Sequence, residues 1–434
     1  MSDFLVSPCN SLSGVITIPG DKSISHRAIM MGSIANGVTK VSGFLEGNDS
    51  LATLKSFQKM GVDIEQSGSK LTIKGLGMHG LKAPTKPLDL GNSGTSIRLM
   101  SGLLSAQSFD SELCGDESLS KRPMDRIIDP LRQMGAKIYG VNSKPPLSIS
   151  GNQPLKAITY ELPIASAQIK SCLLLASLYA EGKTCIVENV TTRDHTERML
   201  RGFGYQVNCS DNCITLDGGG ELKACDIDIP SDISSAAFFM VAASIARDAD
   251  LTLKAVNINP TRTGIIEILQ LMGANITLSN ESEMAGEMIA DIQIRSADLK
   301  GIRIPNELVP LAIDEFPVLF IAASCADGET LLTGAKELRV KESDRIQVMA
   351  DGLAVLGIKT EVLDDGIRIQ GGQFTKPNTS IKSHHDHRIS MSFAVASVAC
   401  NFDIKIEGVD NVKTSFPNFV ELANRIGINI NELH

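Results

Sequence analysis

The sequence predicts an α/β fold of two similar domains, each made of three β-α-β-α-β-β units with buried helices. Three observations predict it. A helix closed by Gly recurs six times at near-constant spacing. A polar turn opening a long aliphatic helix keeps the same period. A strand pair with a Ser-Gly turn follows the first of these glycines, in GVDIEQSGSKLTIKGL.

The Gly signal reads FQKMGVDI at Gly61, LRQMGAKI at Gly135, LRGFGYQV at Gly204, LQLMGANI at Gly273, LAVLGIKT at Gly357 and ANRIGINI at Gly427. The intervals are 74, 69, 69, 84 and 70 residues. Each pattern fits a helix ending in a residue of positive φ, which Gly adopts without a Cβ penalty.

The second signal comprises PGDKSISHRAIMMGSIA, LGNSGTSIRLMSGLLS, LPIASAQIKSCLLLAS, IPSDISSAAFFMVAAS, AIDEFPVLFIAAS and SHHDHRISMSFAVAS. These helices are apolar around most of their circumference, so burial is expected. Their first turns are rich in Ser, Asp, Asn and Gly, as N-caps require.

The sixth unit has room for one strand after Gly427, and segment 4–7 could supply the missing one. Both termini then lie in one domain. The expected division is 1–20 plus 228–434 for that domain and 21–227 for an inserted one.

Composition bounds the function. The chain has 434 residues, 43% hydrophobic and 21% charged, which excludes disordered, collagen-like and disulfide-rich classes. Lys and Arg total 41 against 50 Asp and Glu, a net charge of −9, so no whole-chain basic footprint for nucleic acid exists. There is no Trp and there are only four Tyr, which disfavours a base-stacking platform. Nine Cys without a C-x-x-C suggest reduced thiols and a cytoplasmic protein. The apolar run 316–326 is about half the length needed to span a bilayer, so no membrane partner is expected.

The polar turns gather cations at helix N-termini, where free N–H groups and the helix dipole favour anions. The buried-helix turns contribute Lys22, Ser23, Asn92, Thr95, Ser166, Gln168, Asp314 and Arg388; the second-helix turns contribute Arg122, Arg193, Arg262 and Lys341. In an acidic chain this points to a ligand with several negative groups, lying between two facing domains. Alone, GDKSISHR reads equally as a capped turn, and LGNSGTSIR lacks the order and Lys of a P-loop. RVKESDRI falls in the one connection that expands the repeat, which favours function over a solvated face. His384, His385, Asp386 and His387 are adjacent, so their side chains diverge and no metal is expected. His26 and His195 read as hydrogen-bonded packing residues, and the Cys as small buried apolar ones.

The motifs PGDKSISHR, LGNSGTSIRL, KRPM, SAQIKS, TRDHTERML, IDEFP, RVKESDR and DHRISMSF, in this order, resemble the 5-enolpyruvylshikimate-3-phosphate synthase (3-phosphoshikimate 1-carboxyvinyltransferase) family over essentially the whole chain. The resemblance implies the enolpyruvyl transferase fold, an inside-out α/β barrel of two three-unit domains. It implies transfer of the enolpyruvyl group of phosphoenolpyruvate to the 5-hydroxyl of shikimate 3-phosphate, in aromatic amino acid biosynthesis. It also implies an interdomain active site, no metal or organic cofactor and a monomer; glyphosate inhibits the family at the phosphoenolpyruvate site, and the motifs leave sensitivity or tolerance open for this sequence. The domain with both termini would form the phosphoenolpyruvate side and the inserted domain the shikimate 3-phosphate side.

Carried over by motif, shikimate 3-phosphate would meet Lys22, Ser23, Arg27, Ser166, Ala167, Gln168, Arg193, Asp314 and Lys341. Phosphoenolpyruvate would meet Lys22, Asn92, Gly94, Arg122, Gln168, Lys341, Glu342, Arg345 and Arg388. Asp314, Glu342 and Lys22 would be catalytic: Asp314 for the hydroxyl proton, Glu342 with Lys22 for the proton at C3. Lys413 stands one place earlier than the Lys some members carry before T-F-P, and is left out of the site.

Two alternatives stand beside this reading. UDP-N-acetylglucosamine enolpyruvyl transferase shares fold and donor but carries Lys-Asn in the first turn and a reactive Cys in a Pro-Gly-Gly-Cys loop. Here the residues are Lys22-Ser23, and Cys114 sits in ELCGDES. A non-catalytic anion binder is the second, and it gains nothing from Asp314 and Glu342 among its cations.

Overall fold

The computed structural model describes every residue except Met1, Asn10 and Asp211. Twelve α-helices are present among them. They are α1 (Lys22–Ile34), α2 (Asn48–Lys59), α3 (Gly94–Leu104), α4 (Asp125–Gln133), α5 (Ala167–Ser177) and α6 (His195–Gly202). The others are α7 (Ile233–Ile245), α8 (Gly264–Leu271), α9 (Phe316–Cys325), α10 (Arg345–Val355), α11 (His387–Ala396) and α12 (Phe419–Ile426). The odd-numbered helices are the aliphatic ones, and in α7 every residue from Ile233 to Ser244 is buried. Five of those six start on a side-chain cap: Asp21, Ser93, Ser166, Asp232 and Asp386 each accept from a backbone N–H of the first turn. In α9 Pro317 occupies the first turn instead, where its missing N–H costs nothing.

All six repeat glycines adopt positive φ, from 80° at Gly357 to 112° at Gly427. Each lets the chain turn off an even-numbered helix into the next strand.

The sheets explain the unit. In segment 159–217 the strand order is Thr159–Glu161, Lys183–Val187, Cys213–Asp217, Asn208–Ser210. The first two strands are parallel, as a crossover through α5 demands, and the last two form an antiparallel hairpin. Segment 88–150 repeats this order. Segment 302–370 retains three strands, and an isolated parallel bridge, Arg303 to Leu331, stands where the first strand would be.

Three units borrow a strand from far along the chain. Leu12–Thr17 runs parallel to Ala249–Asn257, giving the fourth unit its first strand. Leu222–Lys223 and Ile227–Asp228 run parallel to Ala35–Ser42, doing the same for the first unit. Asp3–Ser7 lies between Ile404–Glu407 and Asn429–Leu433, antiparallel to both, and completes the last sheet.

The chain divides into two compact units, Met1–Pro19 with Pro230–Glu283 and Glu287–His434, and Gly20–Ile229 with Met284–Gly286. Each has its own aliphatic core. In the first, α7, α9 and α11 pack on one another and each meets a sheet; in the second, α3 packs on α1 and α5. The inside-out character lies in these enclosed helices: the six sheets are separate, and they do not close into a barrel.

Two expectations about cysteine are corrected. Cys185 and Cys213 form a disulfide, so not all nine thiols are reduced. They lie on paired antiparallel strands whose register sets them diagonally, with Cα atoms 6.2 Å apart, within disulfide reach. Of the seven free cysteines only Cys172 and Cys400 are buried; Cys209 is exposed and the other four are half-buried. No helix among the described residues is long and apolar enough to cross a membrane.

Candidate functional site

In the unit Gly20–Ile229, the candidate residues sit at the N-termini of the buried helices. Lys22 opens α1 and is paired with the Asp49 carboxylate, which α2 presents from its first turn. Arg27, one turn on, is 3% exposed. Its guanidinium donates to Thr196 Oγ1 at 2.7 Å, Ser171 Oγ at 2.7 Å and the Ser23 carbonyl at 2.9 Å. It thereby ties α1 to α5 and α6.

Gly94 is the first residue of α3, beside Asn92. Arg122 Nη2 donates to Asn92 Oδ1 at 2.6 Å, and Asn92 Nδ2 donates to Asp116 at 2.8 Å. A Cβ on Gly94 would lie 2.8 Å from Arg122 Nη1 and 2.9 Å from Arg98 Nη1, so the absence of a side chain lets two guanidinium groups approach the turn.

Ser166 caps α5, and Ala167 and Gln168 form its first turn, all half-buried. Gln168 bridges two elements: Nε2 donates to Thr95 Oγ1 at 3.0 Å, and Oε1 accepts from Arg98 Nη1 at 3.0 Å. The turns opening α3 and α5 are therefore held together. Arg193 lies, half-buried, on the connection from strand Lys183–Val187 to α6.

In the other unit the candidates form one network. Arg345, 1% exposed, opens α10. Its Nη1 lies 3.4 Å from Asp314 Oδ1, Nη2 donates to Glu342 Oε2 at 2.5 Å, and Nε donates to Asp386 Oδ2 at 2.9 Å. Lys341 Nζ stands 3.3 Å from Asp314 Oδ1. Arg388 Nη1 donates to the Asp314 carbonyl at 2.8 Å. Burial acts to lower the Arg345 pKa, but the charges of Asp386, Glu342 and Asp314 outweigh it and raise the pKa above the usual arginine value. Asp314 and Glu342 are thus fixed on two nitrogens of one buried cation.

Several residues of this site escape sequence reasoning. Asp49 pairs with Lys22 but carries no periodic signal of its own, whereas Arg98 and Asp386 lie inside the periodic turns LGNSGTSIR and SHHDHR without being marked there as partners. Asp386 had one visible mark, its place directly before an aliphatic helix, where it caps α11 and anchors Arg345. Arg262, singled out as a cation at a turn, is 2% exposed and lies 3.8 Å from Glu315, itself buried. His26 and His195 are both fully buried, and His26 Nδ1 lies 2.8 Å from Thr53 Oγ1. His384 and His385 hold left-handed backbone conformations in the turn before α11. Among the described residues no group of three His, Cys, Asp or Glu side chains could hold a metal ion. Lys413 is exposed, 3.9 Å from Glu432.

Residues 6–422 match the family model of EPSP synthase (3-phosphoshikimate 1-carboxyvinyltransferase). The 3-phosphoshikimate 1-carboxyvinyltransferase of Ruthia magnifica is 70% identical over 431 residues, 99% of each chain. That of Hydrogenovibrio crunogenus is 58% identical, covering 98% of each. The solved EPSP synthase of Acinetobacter baumannii superposes with a TM-score of 0.89 at 58% identity over the full length of both chains. The enolpyruvyl transferase NikO of Streptomyces tendae shares the fold at a TM-score of 0.81 and 16% identity, covering 100% of this chain and 99% of its own. With a family match across nearly the whole sequence and full-length relatives of such high identity, the chain belongs to the EPSP synthase family.

Proposed function

We propose that this protein is an enzyme that transfers the enolpyruvyl group of phosphoenolpyruvate to the 5-hydroxyl of shikimate 3-phosphate and releases phosphate. The observation that carries the reading is the placement of Asp314 and Glu342 on two nitrogens of the buried Arg345. A binder of anions gains nothing from two carboxylates among its cations. An addition–elimination reaction needs two acid–base groups held in fixed relation.

The reaction proceeds through a tetrahedral intermediate. The 5-hydroxyl oxygen bonds to C2 of phosphoenolpyruvate and its proton passes to Asp314. C3 gains a proton from Glu342 with Lys22 and becomes a methyl group. One methyl proton then returns to Glu342 with Lys22, the C2–O bond to phosphate breaks, and the enol ether leaves with inorganic phosphate, which takes up the proton held by Asp314. Lys22, Arg122, Lys341, Arg345 and Arg388 take the negative groups of phosphoenolpyruvate, with Asn92, Gly94 and Gln168 shaping its seat. Ser166, Ala167, Gln168 and Arg193 take the phosphate of shikimate 3-phosphate, and Ser23 and Arg27 its carboxylate end. Guanidinium forks match both kinds of anion, and fixed cations stabilise charge without reorganising during the reaction. The enzyme acts as a monomer in the cytoplasm on small molecules only, without a cofactor.

Phosphate release from phosphoenolpyruvate tests this, with shikimate 3-phosphate present, absent, or replaced by UDP-N-acetylglucosamine. Release is expected only with shikimate 3-phosphate. No release with either acceptor, from folded protein, would leave an anion binder.

A further inference from the structure

Lys170 closes the first turn of α5, just ahead of the aliphatic run Cys172–Ala176, and its side chain is completely buried. A charge there is costly unless it is paired, and apolar packing would be cheaper. Its Nζ stands 2.7 Å from Glu197 Oε1, 3.1 Å from Glu188 Oε2 and 3.3 Å from the Thr192 carbonyl. Glu188 Oε2 also accepts from the Thr192 N–H at 3.2 Å and from Thr192 Oγ1 at 2.8 Å. Every polar group of Thr192 is therefore engaged by this cluster, and the next residue is Arg193. At its other end Lys170 belongs to the turn carrying the candidate anion ligands: its backbone N–H donates to the Ser166 carbonyl at 3.2 Å.

We propose that Lys170 is a positioning residue that fixes Arg193 relative to Ser166 and Gln168, and so sets the seat for the phosphate of the acceptor substrate. This rests on the reading that those three residues take the phosphate of shikimate 3-phosphate. The mechanism is electrostatic. One ammonium holds two carboxylates, Glu188 from the start of the connection and Glu197 from α6. Without it the carboxylates repel each other in a dry environment, and the connection between them, with Arg193, moves away from α5. Burial opposes the charge on Lys170, but Glu197 and Glu188 together raise its pKa, so the ammonium persists at neutral pH.

The test compares Lys170→Met and Glu188→Gln with the unaltered full-length chain. The second variant retains the Lys170–Glu197 pair and leaves one carboxylate for one ammonium, so it keeps the assay decisive where Lys170→Met fails to fold. Steady-state KM is measured for each substrate, with equilibrium binding of shikimate 3-phosphate by calorimetry. Expected is a rise of roughly tenfold or more in KM and Kd for shikimate 3-phosphate, with KM for phosphoenolpyruvate within about twofold. Lys170→Arg is expected to recover part of the loss. Unchanged KM for shikimate 3-phosphate in a folded variant overturns the proposal, as does an equal rise for both substrates, which marks a merely structural role. Turnover by the unaltered chain is scored first. An unaltered chain that neither turns over nor binds shikimate 3-phosphate sinks the functional reading itself, and this proposal with it.

Discussion

At the scale of residues, the site is a set of side chains whose partners restrict them. Asp314 and Glu342 share Arg345, so replacing either by its amide preserves shape while removing an acid–base group. Asp314→Asn and Glu342→Gln are each expected to lower kcat roughly 100- to 10,000-fold, with KM for both substrates changed far less. Stopped-flow or steady-state phosphate release measures it; unimpaired kcat in either variant removes that residue from the acid–base role. Gly94 supports a second expectation. A methyl group there meets Arg122 and Arg98 at under 3 Å, and a guanidinium is the part that gives way. Gly94→Ala is expected to fold normally and to raise KM for phosphoenolpyruvate by roughly tenfold, about the value of one charge-assisted hydrogen bond. A KM unchanged for phosphoenolpyruvate but raised for shikimate 3-phosphate would contradict it. What the sequence conceals at this scale is long-range pairing. Lys22 is visible in GDKSISHR, but Asp49 is 27 positions away with nothing to mark it. Lys170 did leave a signal, a lone charge inside LPIASAQIKSCLLLAS, where a residue almost never buried unpaired must have a partner.

At the scale of elements, the six aliphatic helices were legible because burial on all sides leaves an unbroken apolar run behind a polar cap. The six closing glycines were legible because positive φ has few other solutions. The exchange of strands Leu12–Thr17 and Leu222–Asp228 between distant units was not, since strand pairing depends on neighbours that one segment does not encode. Burial also has a titrational cost. His26 lies fully inside α1, and desolvation, reinforced by the charges of Lys22 and Arg27, lowers its pKa well below 6.5. The folded imidazole stays neutral while the unfolded chain takes up a proton as pH falls through about 6.5. The unfolded state then binds more protons, so stability falls with pH below that point, by about 1.4 kcal/mol per unit for one such group. Urea unfolding at pH 7 and pH 5.5 is expected to show this loss in the native chain and a smaller one in His26→Gln. An equal loss in both would exclude His26 as its source.

At the scale of the whole molecule, each unit has a separate core, and one unit joins a short stretch ending at Pro19 to chain that resumes at Pro230. The Asp232 N–H donates to the Pro19 carbonyl at 2.9 Å, so the two places where the chain leaves and re-enters that unit are adjacent. A chain in which a short Gly-Ser linker joins Pro19 directly to Pro230 is therefore expected to fold cooperatively, and residues 230–434 alone are not. Circular dichroism and thermal melts of the two proteins decide it. Cooperative melting of 230–434 alone would mean that Leu12–Thr17 and Asp3–Ser7 are dispensable to their sheets.

The borrowed strand Leu12–Thr17 has a consequence for synthesis on the ribosome. It is among the first segments to emerge, yet its partner begins at Ala249. At about 5–20 residues per second, it waits roughly ten to fifty seconds for that partner. Asp3–Ser7 waits longer still, first for Ile404–Glu407 and then for Asn429–Leu433. Throughout that interval the inserted unit finishes its own core while two nascent strand edges trail behind it unpaired. Those edges are where a trigger-type chaperone would be needed most, and a slowed ribosome would lengthen their exposure in direct proportion.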